Sequence, residues 1–199
     1  ADIHGKNHHV DGSFGNHVKE ISLIDGRGDF HKISKSKNEE LFWATIGGMG
    51  LTGIIIEVTF SIIPISTSLI SVDTYKFKDI DSLMNSMIEF DKKYKYSVAW
   101  IDSLNKKGRG VVTCGEHLNI NNLKKNNLDN SLFYQNKSLA KAPSLIPNGF
   151  LNKLTVKAFN ETWYRKSPDM RINEEQTIGQ YFYPLDGIDN WNNIYGNKG

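Results

Sequence analysis

The sequence predicts an α+β fold in two parts, and three observations carry that reading. Apolar and polar residues alternate around a glycine-rich turn near the start, which marks paired strands. Residues 79–94 place their apolar side chains at helical spacing. Composition and period both change after "PISTS" (64–68), which sets a domain boundary between residues 1–66 and 67–199.

The elements follow in chain order. Residues 18–33, "VKEISLIDGRGDFHKI", alternate about Asp25-Gly26-Arg27-Gly28 and predict a β-hairpin. "KSKNEELFWATIG" (35–47) predicts a short helix with Asn38 as N-cap and Glu39 and Glu40 in its first turn. Leu41, Phe42 and Ile46 supply its apolar side. The turn "GGMGLTG" (47–53) leads into a strand over 54–63 that Pro64 closes. In the second part, "LISVDTYKF" (69–77) predicts a strand. The helix over 79–94 is capped by Asp79 or Asp81 and carries Leu83, Met84, Met87, Ile88 and Phe90 on one side. "YSVAWIDS" and "GRGVVTCGEH" predict two strands joined by the turn "LNKKG". Residues 118–138, rich in Asn and Lys, read as a loop, and the segments 150–166 and 177–187 are expected to be further strands. Strands with at least one covering helix make the second part α+β.

Bulk properties exclude several classes. A chain of 199 residues that is 39% hydrophobic and 23% charged can bury a core and is not a disordered sequence. A net charge of +2 with no basic run interleaved with aromatics argues against nucleic-acid binding. The single cysteine, Cys114, excludes an internal disulfide framework and a Cys-based zinc site. The apolar stretch 51–70 is interrupted by Glu57 and Pro64, and its β-branched character reads as strand, not membrane span. The first and last residues read as parts of motifs, so the sequence is expected to be a segment of a longer protein.

The opening "ADIHGKNHHVDGSFGNH" gathers four histidines, three glycines and a lysine. Three ligands could call for that. His4 and His8 have the i, i+4 spacing of a helical metal site, but Gly5, Gly12 and Gly15 oppose a helix, and Asp11 is the nearest carboxylate. Hydrogen bonds of His8, His9 and His17 within a tight turn account for the same residues, so no metal is expected. The segment Gly48-Met49-Gly50-Leu51-Thr52-Gly53 spells G-x-G-x-x-G, yet it follows a helix and precedes a strand. A dinucleotide fingerprint needs the reverse order, because the pyrophosphate must meet a helix N-terminus. A flat cofactor explains the opening better: glycines bring backbone amides against a ring edge, and His4 and Lys6 place donors where negative charge develops.

Taken together, "DIHGKNHHVDGSFGNHV", "ELFWATIGGMGLTGIIIEVTF", "YSVAW", "IPNGFLNKLT", "WYRKS" and "YPLD" resemble one family over essentially the whole chain. It is the FAD-dependent decaprenylphosphoryl-β-D-ribose 2'-oxidases, within the vanillyl-alcohol-oxidase type of flavoprotein. The resemblance implies that residues 1–66 are the second subdomain of a PCMH-type FAD-binding domain, and 67–199 much of a substrate domain with an antiparallel sheet and helix, both incomplete. It implies that Ala1, Asp2, Ile3, His4, Gly5 and Ile55 bind FAD. His4 and Lys6 would be the catalytic candidates, and Lys6, Trp100 and Phe182 would contact substrate. Phe182 stands where the family has an aromatic hydroxyl, and Val98 where the best-matching pattern has a serine.

The activity so implied is oxidation of the ribose 2'-hydroxyl of a polyprenyl-phosphoryl ribose, with a partner keto-reductase completing an epimerisation to arabinose for cell-wall arabinan. Peripheral contact with the cytoplasmic or periplasmic face of a bacterial membrane is expected, with the Asn/Lys-rich loop near the lipid phosphate. Residues 1–199 by themselves are expected to bind FAD weakly. The alternatives are a related FAD-dependent sugar or polyol oxidase, and a non-catalytic binding domain that has lost flavin.

Overall fold

A computed structural model describes residues 11–123, 131–134, 138, 140–143 and 149–198. The chain divides into two compact units between Pro64 and Ile65. Both mix helices with antiparallel sheets, which makes the fold α+β.

In the first unit a short 3₁₀ turn, Phe14–His17, leads into strands β1 (Val18–Ile24) and β2 (Phe30–Ser34). They pair antiparallel with Leu23 opposite His31 and Ile21 opposite Ile33. Asp25 builds the turn between them: its carboxylate accepts the N–H groups of Arg27 and Asp29 at 2.9 and 3.0 Å and bonds His31 Nε2 at 3.0 Å. Helix α1 (Glu39–Thr45) follows. Asn38 does hold its N-cap position, but in the left-handed region (φ 52°), and its side chain makes no capping bond. Phe42 of α1 closes a core with Val18, Ile21, Leu23 and Ile33.

The glycine-rich turn then connects α1 to β3 (Ile54–Phe60), so helix precedes strand there. Gly53 is required at its position: with φ +147° a side chain would be strained, and a Cβ would stand 2.3 Å from the Ile24 carbonyl oxygen. Strand β3 pairs with β1, and the sheet order β2-β1-β3 leaves β3 on the edge.

The second unit is built on a four-stranded antiparallel sheet of order β5-β6-β4-β8. Its strands are β4 (Leu69–Phe77), β5 (Tyr96–Ile101), β6 (Gly110–His117) and, later in the chain, β8 (Met170–Thr177). Helix α2 (Ile80–Lys93) starts where the Asp79 carboxylate accepts the Ser82 N–H at 2.8 Å. Leu83, Met87 and Phe90 of α2 pack on Val112, Cys114, Ala99 and Phe77, so α2 covers one face of the sheet. A two-residue strand β7 (Ala140–Lys141) pairs parallel with β9 (Ile188–Asp189).

Two expected strands are helices. Residues 150–166 contain α3 (Lys153–Lys166), which starts in a reciprocal capping arrangement. The Asn152 side chain accepts from Leu154 and Thr155 N–H, and the Thr155 hydroxyl oxygen accepts from Asn152 N–H. Residues 177–187 hold α4 (Ile178–Phe182), capped by Thr177 and Gln180, and then a 3₁₀ turn, Pro184–Gly187. The strand in this region is β8, just before α4. It bulges at Asn173 (φ 56°), whose N–H donates to the buried Asp73 carboxylate at 2.8 Å. A 3₁₀ turn over Trp191–Lys198 follows β9.

Candidate functional site

Strand side chains alternate between faces, so Tyr96, Val98 and Trp100 of β5 stand together on one face of the second unit's sheet. In register they lie beside Gly115, Thr113 and Val111 of β6. This is the face opposite α2, and two helices occupy its ends.

Helix α4 covers the end that holds Tyr96. Tyr181, Phe182 and Ile178 pack with Ile70, Val72 and Tyr96. Gly115 permits that approach, because a Cβ there would fall 2.8 Å from Tyr181 Cζ and 2.9 Å from Ile70 Cγ2. The Tyr181 hydroxyl reaches the Thr113 carbonyl at 3.4 Å, and burial pushes its pKa up. Phe182 meets Tyr96 edge-on at 4.9 Å, and Tyr96 Oη lies 3.1 Å from His117 Nε2. His117 Nδ1 is buried without a hydrogen-bond partner. Burial holds the imidazole below the usual histidine range, against the pull of Glu116.

Helix α3 covers the other end. Three side chains on the same face, Asp102 after β5, Arg109 before β6 and Lys76 of β4, all meet it. Arg109 grips Asp102 Oδ2 through Nε and Nη2 at 3.0 and 2.9 Å, and Nη2 also reaches Glu161 Oε2 at 2.6 Å. Its guanidinium lies 4.4 Å from the Tyr164 ring centroid, and Lys76 Nζ lies 5.2 Å from the same ring. Asn160 Nδ2 donates to Asp102 Oδ1 at 2.7 Å, and the Tyr164 hydroxyl donates to the Phe77 carbonyl at 3.1 Å. Asp102 is only 2% exposed. Burial works to raise its pKa, but the hydrogen bonds from Asn160 and Arg109 prevail and hold it below the ordinary carboxylate value.

Val98 and Trp100 therefore stand between an aromatic cluster and an ion-paired clip. The structure brings Trp100 and Phe182, both substrate candidates, to one face of one sheet. Such a strip offers flat and branched apolar surface with fixed geometry, suited to holding a ligand in place. Ile55 belongs to the first unit, half-exposed on the edge strand β3 opposite Leu23. Ala1, Asp2, Ile3, His4, Gly5 and Lys6 lie outside the described residues, as do His8 and His9. His17 is described, and its Nε2 lies 3.0 Å from the Asp11 carbonyl.

Sequence reasoning missed Tyr96, His117 and the Asp102–Arg109–Asn160–Glu161 network. Alternation along β5 could have placed Tyr96 beside Trp100. Nothing local could have joined Tyr96 to His117, because that pairing needs the β5–β6 register. No helix among the described residues is long and apolar enough to cross a membrane.

No family model matches the chain. It is 37% identical to decaprenylphosphoryl-beta-D-ribose oxidase of Mycolicibacterium smegmatis over a 208-residue alignment that takes in all of this chain and 44% of that relative. It is 36% identical over 120 residues to an uncharacterized protein in the mprA 5' region of Streptomyces coelicolor, covering 59% of this chain and 32% of that protein. The chain thus spans less than half the length of these curated relatives. Similarity along its whole length places this chain in the decaprenylphosphoryl-beta-D-ribose oxidase family.

Proposed function

We propose that the native protein is a FAD-dependent oxidoreductase that converts the 2'-hydroxyl of a polyprenyl-phosphoryl ribose to the 2'-keto sugar. A partner keto-reductase would complete the epimerisation to arabinose. One observation carries the reading: whole-length similarity to a protein named for oxidation of decaprenylphosphoryl ribose.

The described residues are compatible with a flat cofactor. Directly after the Gly53 turn, Ile54, Ile55 and Ile56 are exposed on an edge strand, and Ile55, on the face it shares with Leu23, offers apolar surface for a ring to lie against. When bound, FAD supplies the acceptor for a hydride. Ala1, Asp2, Ile3, His4, Gly5 and Ile55 would hold it. His4 and Lys6 would orient the sugar and stabilise the charge that develops as the hydroxyl proton leaves. Trp100 and Phe182 would wall the sugar and fix its carbon relative to the acceptor, a contribution of orientation and not of proton transfer.

The test is the visible absorption spectrum of the native protein, taken as purified and then anaerobically with a polyprenyl-phosphoryl pentose. A flavin band that bleaches supports cofactor and substrate class together. A band that stays oxidised keeps the flavoprotein and favours a second reading, an oxidase of another sugar or polyol. Phe182 motivates that reading, since it brings no hydroxyl to the position where the family has one. Absence of a flavin band would sink both.

A further inference from the structure

Strand β6 ends on His117, on the sheet face that carries Tyr96 and meets α4. Its imidazole stands edge-on to the Tyr96 ring, with centroids 5.5 Å apart and planes at 83°, and Nε2 lies 3.1 Å from Tyr96 Oη. Phe182 meets the same tyrosine edge-on. Three rings therefore follow one another from His117 to Phe182, with the buried Tyr96 in the middle. Phe182 itself is only partly buried, so it can offer surface to a ligand while resting on Tyr96.

The histidine can hold this arrangement only while it is neutral. A neutral imidazole bonds the Tyr96 hydroxyl through Nε2, whichever of the two donates. Protonation puts a hydrogen on both nitrogens, and Nδ1 is buried with no partner. An N–H there would go unsatisfied, so the charged ring must turn out to water and give up Tyr96. The surroundings do not offset that cost. In the cross-strand row His117 stands beside Ile70 and Gln176, neither of them charged. Tyr96 of β5 and Tyr181 of α4 are neutral phenols, and burial pushes the Tyr181 pKa up. The charged groups that act on the ring, Glu116 and Lys95, pull in opposite directions. Glu116 is engaged by the Lys95 N–H, and Lys95 Nζ lies 6.0 Å from the Tyr96 ring centroid.

We infer that His117 is a positioning residue for substrate: its neutral ring holds Tyr96 by the hydroxyl, Tyr96 holds Phe182, and Phe182 thereby keeps its place as a wall of the sugar site. This rests on the proposed function, which gives Phe182 that place, and deepens it by naming what sets the wall. His117 touches no reacting atom. Its effect passes through two ring contacts, so it acts on how well the sugar is held and not on the transfer of the hydride. Acid should therefore loosen the wall by breaking the first link of the chain.

The experiment follows anaerobic flavin reduction by a polyprenyl-phosphoryl pentose in the native, full-length protein, below its melting transition and over a range of pH. KM is expected to rise as pH falls below the ordinary histidine value of 6.5, with kcat moving much less. His117→Ala should raise KM by about three- to tenfold at neutral pH, the worth of one hydrogen bond. His117→Gln, whose amide can still bond the tyrosine but does not titrate, should restore KM and abolish the acid rise. Should His117→Ala not fold, Tyr96→Phe reports instead: it keeps the ring, loses the hydroxyl, and should show a raised KM that no longer responds to acid. Flavin that bleaches with a KM unmoved by acid and by these variants would overturn the inference alone. So would variants in which kcat and KM fall or rise together without a change in the pH profile, the mark of a merely structural histidine. Flavin that no such pentose reduces would end the proposed reaction, and this inference with it.

Discussion

Phe182 meets the Tyr96 ring edge-on, with centroids 4.9 Å apart and planes at 87°. This contact ties α4 to the edge strand that carries Val98 and Trp100. Truncation by Phe182→Ala should cost about 2–4 kcal/mol of stability, because it removes a partly buried ring and an aromatic pair. Denaturant unfolding checks this. Phe182→Tyr keeps the ring, so it should fold normally and shift the preference among pentose and hexose substrates, read as a change in relative kcat/KM.

The clip beneath α3 makes a sharper prediction. Asp102 is buried, and its carboxylate takes three bonds from Arg109 and Asn160. Asp102→Ala would leave Arg109 without its main partner inside the fold and should destabilise by about 3–5 kcal/mol. The pH dependence follows from the lowered pKa. The folded state favours the charged form, so the contribution is fully present above the ordinary value of 3.8 and is lost as pH falls through the lower folded value. Thermal melts of the native protein should therefore show an acid limb below 3.8 that is blunted in Asp102→Asn.

His117 predicts an effect at higher pH. Burial disfavours the imidazolium, so the folded state prefers the neutral ring. Its contribution is present above the ordinary value of 6.5 and is lost as pH falls through the lowered folded value. Melting temperature should begin to drop below 6.5, and His117→Gln should flatten that part of the profile while leaving the carboxylate limb in place.

These residues also show what the sequence could and could not convey. The hairpin around Asp25, strand β4 and helix α2 were legible because each buries one side and exposes the other, so their periods stand out. Helix α3 does not show in the apolar pattern because its inward row holds Asn160, Glu161 and Tyr164, while Leu154, Phe159 and Trp163 are exposed, so apolar periodicity points to no core. Strand β8 escaped because an edge strand can carry Arg171, Glu174, Glu175 and Gln176, and a bulge at Asn173 breaks its alternation. At the candidate site, Trp100 and Phe182 came from family resemblance, not from pattern. The Tyr96–His117 pair depends on the register of two strands, and Arg109–Glu161 joins residues 52 positions apart.

Gly115 concentrates the packing of the same face into one atom. Its absent Cβ leaves room for the Tyr181 ring, and a methyl placed there would fall 2.8 Å from Tyr181 Cζ and 2.9 Å from Ile70 Cγ2. Both neighbours are buried, so neither can swing into solvent. Gly115→Ala should therefore cost about 1–3 kcal/mol through overpacking, with α4 displaced from the sheet. Cys114, one residue away on the opposite face, provides the control. Burial pushes its thiol up to about 12, so it should resist alkylation at mildly alkaline pH in both native protein and variant. Loss of stability with Cys114 still protected would locate the damage on the α4 side. A Cys114 that alkylates readily in Gly115→Ala would mean instead that the whole sheet had opened, and that α4 is not a separable cover.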